Sequence, residues 1–164
     1  MNPVNPSDLL LSSLDKFYAD DAHVTSVSRI LTNDDVSLRS LDWFVTNFAK
    51  KYNVTLNGNF NVFLEYKAQL KSFSKKFFDP FCRGDRIEYK GMMTTVRQLN
   101  FFRWALKNGV VEYCIKNAAA IEDDMMESVR QRRTAEPGDK RRELSKAAIK
   151  KCMTTTTRVT IRFE

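Results

Sequence analysis

Thr94-TTVRQLNFFRWALKNGVVEYCIKN-Asn117 is the segment whose reading decides the fold, because pattern, start signal and stop signal agree there. Val96, Leu99, Phe102, Trp104, Ala105 and Leu106 recur at helical spacing, and Thr94 or Thr95 can cap the entrance. Asn108-Gly109 can end the run, and Val110, Val111, Tyr113, Cys114 and Ile115 begin a second apolar set at once. The reading is helix, tight turn, helix, with Arg97, Arg103, Lys107 and Lys116 on the polar sides. A DNA-reading helix-turn-helix needs a polar, exposed second helix, and this one is apolar, so the pair is expected to pack as core.

Working back from this pair, Asn57-Gly58 between Val54/Leu56 and Phe60/Val62 is a hairpin signal, since a type I′ turn needs positive φ at both central positions. Phe63, Tyr66, Leu70, Phe73 and Phe77 then recur at three and four residues, with Asn61 placed to cap. We read a turn leading into a helix over about 61–76, whose polar face carries Lys67, Lys71, Lys75 and Lys76. Asp79-Pro80 breaks it, and a small hairpin near 86–93, turning at Lys90-Gly91, leads into the Thr94 helix. Phe77, Phe78 and Phe81 are expected to anchor the core or a hinge rather than stack on bases. Arg83-Gly84-Asp85 matches an integrin-binding tripeptide, but Gly84 is expected simply to serve a turn.

Nearer the start, Ser7-Asp8 reads as a cap with an acid in the first turn of a helix reaching about Ala19, carrying Leu9, Leu10, Leu14 and Phe17. A short helix over 23–31 follows, with His23 as a capping or solvated imidazole at its start. Val36 or Ser37 opens a stronger helix, in which Leu38, Leu41, Phe44, Val45 and Phe48 share a face, and Lys50-Lys51-Tyr52 ends it. After Asn117, AAAIEDDMMESVRQRR favours helix and runs from acid to base, an order that suits the helix dipole. Neighbouring carboxylates on a helix point in different directions, so Glu122, Asp123 and Asp124 are not expected to hold a metal. TAEPGD at 134–139 reads as a linker, KRRELSKAAIKK as a basic helix and CMTTTTRVTIRFE as a strand able to close a sheet or join a neighbour's.

The expected class is therefore mainly α with a small β element (α+β). Its organisation divides into an acidic helical subdomain at 1–49, a basic helical core at 50–133, and a linker, basic helix and terminal strand at 134–164. With 43% hydrophobic residues and twelve Phe, the 164-residue chain can bury a core without disulfides or metal. Cys82, Cys114 and Cys152 are odd in number and scattered, and His23 is the one imidazole, so three reduced thiols are expected, with Cys82 and Cys114 buried among aromatics. No apolar run approaches the ~18 residues of a membrane span, and MNPVNPSD lacks a signal peptide's basic region, so an intracellular, non-membrane protein is expected.

Charge points to function more directly. The net charge is +7, yet residues 1–49 hold three basic and seven acidic side chains against thirteen and five over 50–121. Such a field draws polyanions. Lys67, Lys71, Lys75, Lys76, Arg97, Arg103, Lys107, Arg130, Arg132, Arg133, Lys140, Arg141 and Arg142 are the candidates for phosphate contact without sequence reading. Nuclear import and plain solvation are the competing roles of the rear cluster. The chain has no phosphate-cradling glycine loop, GxSxG, HExxH or triad, so neither an enzyme nor a cofactor is expected. The alternative is an assembly or scaffold protein, with a viral or host protein partner, that oligomerises through the terminal strand.

The runs SLRSLDWFVTNFAKKYNV, KKFFDPFCRGDRI and TTVRQLNFFRWALKNGVVEYC resemble a family of uncharacterised proteins from large cytoplasmic DNA viruses, over roughly residues 37–163. The resemblance implies a viral host, and with it a genome- or virion-associated role in host cytoplasm or nucleus. It carries over no catalytic residue.

Overall fold

A computed structural model of the chain describes residues 3–134. The fold is mainly helical, with two small antiparallel hairpins. Residues up to Met125 form one compact unit, and a second begins at Met126.

Helix α1 (Pro6–Phe17) is capped by Asn5, whose side chain accepts from the Ser7 amide. The expected Ser7 cap is thus corrected by two positions. Pro6 suits the first helical turn because its missing N–H would find no partner there anyway. Asp20 caps α2 (Asp21–Leu31) by accepting from the Ala22 amide. His23 does not cap α2; its half-buried ring stacks on Phe17 at 3.9 Å, and Nδ1 lies 2.9 Å from the Phe17 carbonyl at the end of α1.

Ser37 caps α3 (Leu38–Trp43). The helix continues through a π turn (Phe44–Phe48), closed by the Ala49 amide donating to the Phe44 carbonyl, into a last turn α4 (Ala49–Lys51). The extra residue in that turn rotates everything after it relative to α3. Phe44, Val45, Phe48 and Ala49 are buried while Lys50 and Lys51 face solvent.

The hairpin signal at Asn57-Gly58 and the helix after it are both present. β1 (Thr55–Leu56) pairs with β2 (Phe60–Asn61), both turn residues have positive φ, and Asn61 caps α5 (Val62–Phe77). Helix α5 is interrupted at Ser74, whose φ of 56° and ψ of 171° are far from helical. β3 (Ile87–Tyr89) and β4 (Met92–Thr94) form the second hairpin, turning at Lys90-Gly91 as expected.

α6 (Val96–Lys107) and α7 (Val110–Lys116) form the helix pair, capped by Thr95 and separated at Gly109, whose φ of 74° is the left-handed turn that glycine accepts without strain. α8 (Ala118–Thr134) follows. The core lies around α6, where Leu99, Phe101, Phe102 and Ala105 are fully buried with Tyr18, Phe44 and Phe78. Gln98, also fully buried, is satisfied: its amide nitrogen donates to the Pro80 carbonyl at 2.8 Å and its oxygen accepts from Thr94 at 2.7 Å. Cys114 is buried as expected, but Cys82 is only half-buried. The linker, basic helix and terminal strand expected over 135–164 lie outside the described residues.

Candidate nucleic-acid interface

The β1–β2 hairpin sets the geometry of the basic surface. It turns the chain back on itself, so the Val62 amide donates to the Val54 carbonyl at 3.1 Å and Asn61 donates to the Asn53 side chain at 2.8 Å. Helix α5 consequently starts beside the end of α4. Lys50 of α4 and Lys67 of α5 both sit over the Phe63 ring, at 5.4 and 5.6 Å from its centroid, so their ammonium groups are within about 11 Å of each other. Lys71 continues the row one helical turn beyond Lys67. All three lysines are exposed, and none meets a carboxylate at ion-pair distance among the described residues. Lys50 was absent from the candidates read from sequence. It stands thirteen positions before Phe63 with a hairpin between, and only the hairpin signal hints that the two meet.

Its neighbour Lys51 is committed elsewhere. Its ammonium pairs with Asp124 at 2.5 Å, and Trp43 Nε1 donates to the same carboxylate at 2.9 Å. Burial pushes the Asp124 carboxyl up, but the hydrogen bonds from Lys51 and Trp43 outweigh it and hold the group below its ordinary range.

The break at Ser74 takes the remaining α5 lysines off the row. Lys75 faces Asp42, a half-buried carboxyl raised by burial and by the neighbouring Asp79, and lowered in part by Lys75 and Arg83. Asp79 itself is 3% exposed and gripped through both oxygens by Arg83, Nε at 2.8 Å and Nη2 at 2.9 Å. Lys76 and Arg97 line one cleft. Arg103 turns inward, donating to Ser13 at 2.8 Å and to Asn100 at 2.9 Å. Lys107 is exposed at the end of α6. Arg130, Arg132 and Arg133 are exposed near the end of α8, where Arg130 reaches Glu127 at 3.4 Å. Lys140, Arg141 and Arg142 lie outside the described residues.

The structure thus brings Lys50, Lys67 and Lys71 together around Phe63 and separates Lys76, Arg97 and Arg103 from them in role. Among the described residues, no three His, Cys, Asp or Glu side chains gather as a metal would need, and no helix is long and apolar enough to cross a membrane.

A mainly helical domain with two short hairpins and an open lysine row is the class these features define. The chain belongs to the family of unknown function DUF7197, which matches residues 4–156. It is similar, at 35% identity, to an uncharacterised protein of Acanthamoeba polyphaga mimivirus, a relation that covers 83% of this chain and 60% of that protein's length. The viral resemblance read from the sequence is therefore borne out. No solved structure matches the chain.

Proposed function

We infer that the protein binds nucleic acid without sequence preference, as a non-enzymatic accessory to a viral genome or virion inside the host cell. The observation that supports this reading is the exposed row Lys50, Lys67 and Lys71, held over and beyond Phe63 with no carboxylate of the described residues at ion-pair distance. Exposed lysines with no internal partner are free to replace the counterions condensed on a nucleic-acid backbone. Each phosphate neutralised releases counterions, so binding driven this way weakens steeply with salt.

The test is fluorescence anisotropy of the full chain with a labelled duplex across a salt series. The row's three contacts contribute about −2.7 to the slope of log affinity against log salt on duplex DNA, or roughly 40-fold of the weakening between about 50 and 200 mM. Lys50→Ala, Lys67→Ala and Lys71→Ala should each weaken binding and lower the slope by about 1. Absent binding at low salt, salt-independent binding, or a triple variant that binds like the parent would each overturn the reading.

A further inference from the structure

A cleft of about 250 Å³ lies where the starts of α1 and α6 meet the segment between α5 and β3. Two cations line it, Lys76 and Arg97, with two carboxylates, Asp8 and Asp85, and the apolar side chains of Leu11 and Ile87. Arg97 is half-buried, and no acceptor among the described residues meets its guanidinium. Half-burying a guanidinium without partners costs free energy unless a bound group uses its donors.

The backbone at Gly84 passes close to that guanidinium. Gly84 has a φ of +92°, and a Cβ there would lie 2.6 Å from Arg97 Nη2 and 2.9 Å from Cζ. The missing side chain leaves the planar fork room to lie against the chain. A fork presenting parallel N–H donors suits the oxygens of a phosphate.

The carboxylates narrow the ligand further. Asp8 and Asp85 accept hydrogen bonds only, and they repel a bare dianion, so the ligand must bring hydroxyl donors alongside its phosphate. Leu11 and Ile87 offer a surface for the carbons between. We propose that this cleft binds a small phosphate monoester that also carries hydroxyl groups, a sugar phosphate or a nucleotide. The phosphate takes Arg97 and Lys76, and the hydroxyls donate to Asp8 and Asp85. The site is independent of the Lys50–Lys67–Lys71 row.

Calorimetric titration of the full chain with ribose 5-phosphate, inorganic phosphate and ribose tests it, with AMP as a fourth arm to separate nucleotides from sugar phosphates. Ribose 5-phosphate should bind saturably and at least tenfold tighter than inorganic phosphate, and ribose alone should not bind. Arg97→Ala should weaken it tenfold or more, and Asp85→Asn several-fold. Gly84→Ala should weaken it too although every charge remains, while Lys50→Ala leaves it unchanged and so separates this site from the duplex-binding row. Circular dichroism confirms that each variant folds; should Gly84→Ala unfold, Arg97→Lys, which keeps the charge and loses the fork, replaces it with the same expected loss. No saturable binding, equal affinity for phosphate and ribose 5-phosphate, or binding that survives Arg97→Ala would overturn the proposal.

Discussion

Tyr18→Phe removes one oxygen atom, and its cost measures how firmly the first helix is built into the rest. The Tyr18 side chain is fully buried, and its hydroxyl donates to the Leu99 carbonyl, in the middle of α6, at 2.7 Å. Burial holds the phenol far above its ordinary range, so at neutral pH it stays neutral and donates. Leu99 keeps its helical bond in the variant, so no buried group is orphaned, and the net loss is that of one neutral hydrogen bond, about 1 kcal/mol. For about 125 residues the unfolding entropy is roughly 0.26 kcal/mol per kelvin, which makes the expected fall in Tm about 4 °C. Tyr18→Ala also strips the ring that meets Phe17 edge-on at 4.9 Å and Tyr89 at 5.9 Å, and should cost about 3–5 kcal/mol. Urea unfolding followed by tryptophan fluorescence and far-UV dichroism is the assay. Trp43 and Trp104 report from the acidic third and from the helix pair, so the two probes must coincide in one transition if residues up to Met125 unfold together. A Tyr18→Phe shift under about 0.3 kcal/mol, or two separate transitions, would refute the reasoning.

Asp42→Asn should raise Tm at neutral pH and by less near pH 4. The folded-state pKa of Asp42 is raised, so the folded form binds protons more readily than the unfolded one, and stability falls as pH rises from the ordinary Asp range through the raised value; a melting series over pH on both proteins checks it. Asp124→Asn should do the reverse, removing stability that is present above the ordinary Asp pKa and lost as pH falls through the depressed one, with the difference between variant and parent shrinking in acid. Ser74→Gly should stabilise by about 1 kcal/mol, less a few tenths for the weak 3.3 Å bond from Lys76 N to Ser74 Oγ, because glycine occupies that φ and ψ freely; Ser74→Ala keeps the strain, loses the bond and should destabilise in the same urea titration. Trp43→Phe should free the Asp124 carboxylate of one donor and cost about 1–2 kcal/mol, read by dichroism melting.

Local signals carried most of the fold. Ser37, Asn61 and Thr95 cap helices because their side-chain oxygens reach amides that have no helical partner, a chemistry visible in three or four residues. The two turns with consecutive positive φ, Asn57-Gly58 and Lys90-Gly91, are equally local. Asn5 and Ser7 both could cap α1, and Pro6 decides between them only once its place in the first turn is known. The break at Ser74 is another matter, since the spacing of Leu70, Phe73 and Phe77 and that of the lysines both run through it undisturbed. What fixes the break is distant: Asn100 donates to the Phe77 carbonyl at 2.9 Å and Phe78 is buried against Phe101 and Trp104. The same distance hid the inward turn of Arg103 toward Ser13 and the approach of Lys50 to Phe63, because polarity says that a side chain can reach solvent and not that it does.

Where the acidic first third spends its carboxylates bears on whether the lysine row stays open. Asp20 caps α2, Asp35 pairs with Arg29 at 2.5 Å, Asp34 accepts from Thr32 at 2.6 Å, and Asp15 accepts from Tyr89 at 2.7 Å. These are bonds within the first third or to a neutral phenol, and they satisfy helix ends and turns. Asp42 is set against one candidate cation, Lys75, and Asp8 shares a cleft with two others, Lys76 and Arg97; none of the three stands in the row. The carboxylates of the first third therefore face cations outside the row and leave Lys50, Lys67 and Lys71 without an ion-pair partner among the described residues. Straightening α5 past Ser74 would return Lys75 to the helical register of Lys67 and Lys71, so a polyanion long enough to reach a fourth lysine would have to work against both the Asp42 attraction and the Asn100–Phe77 bond. The row at rest is accordingly three lysines long, so its own share of the salt slope is near −2.7 rather than −3.6.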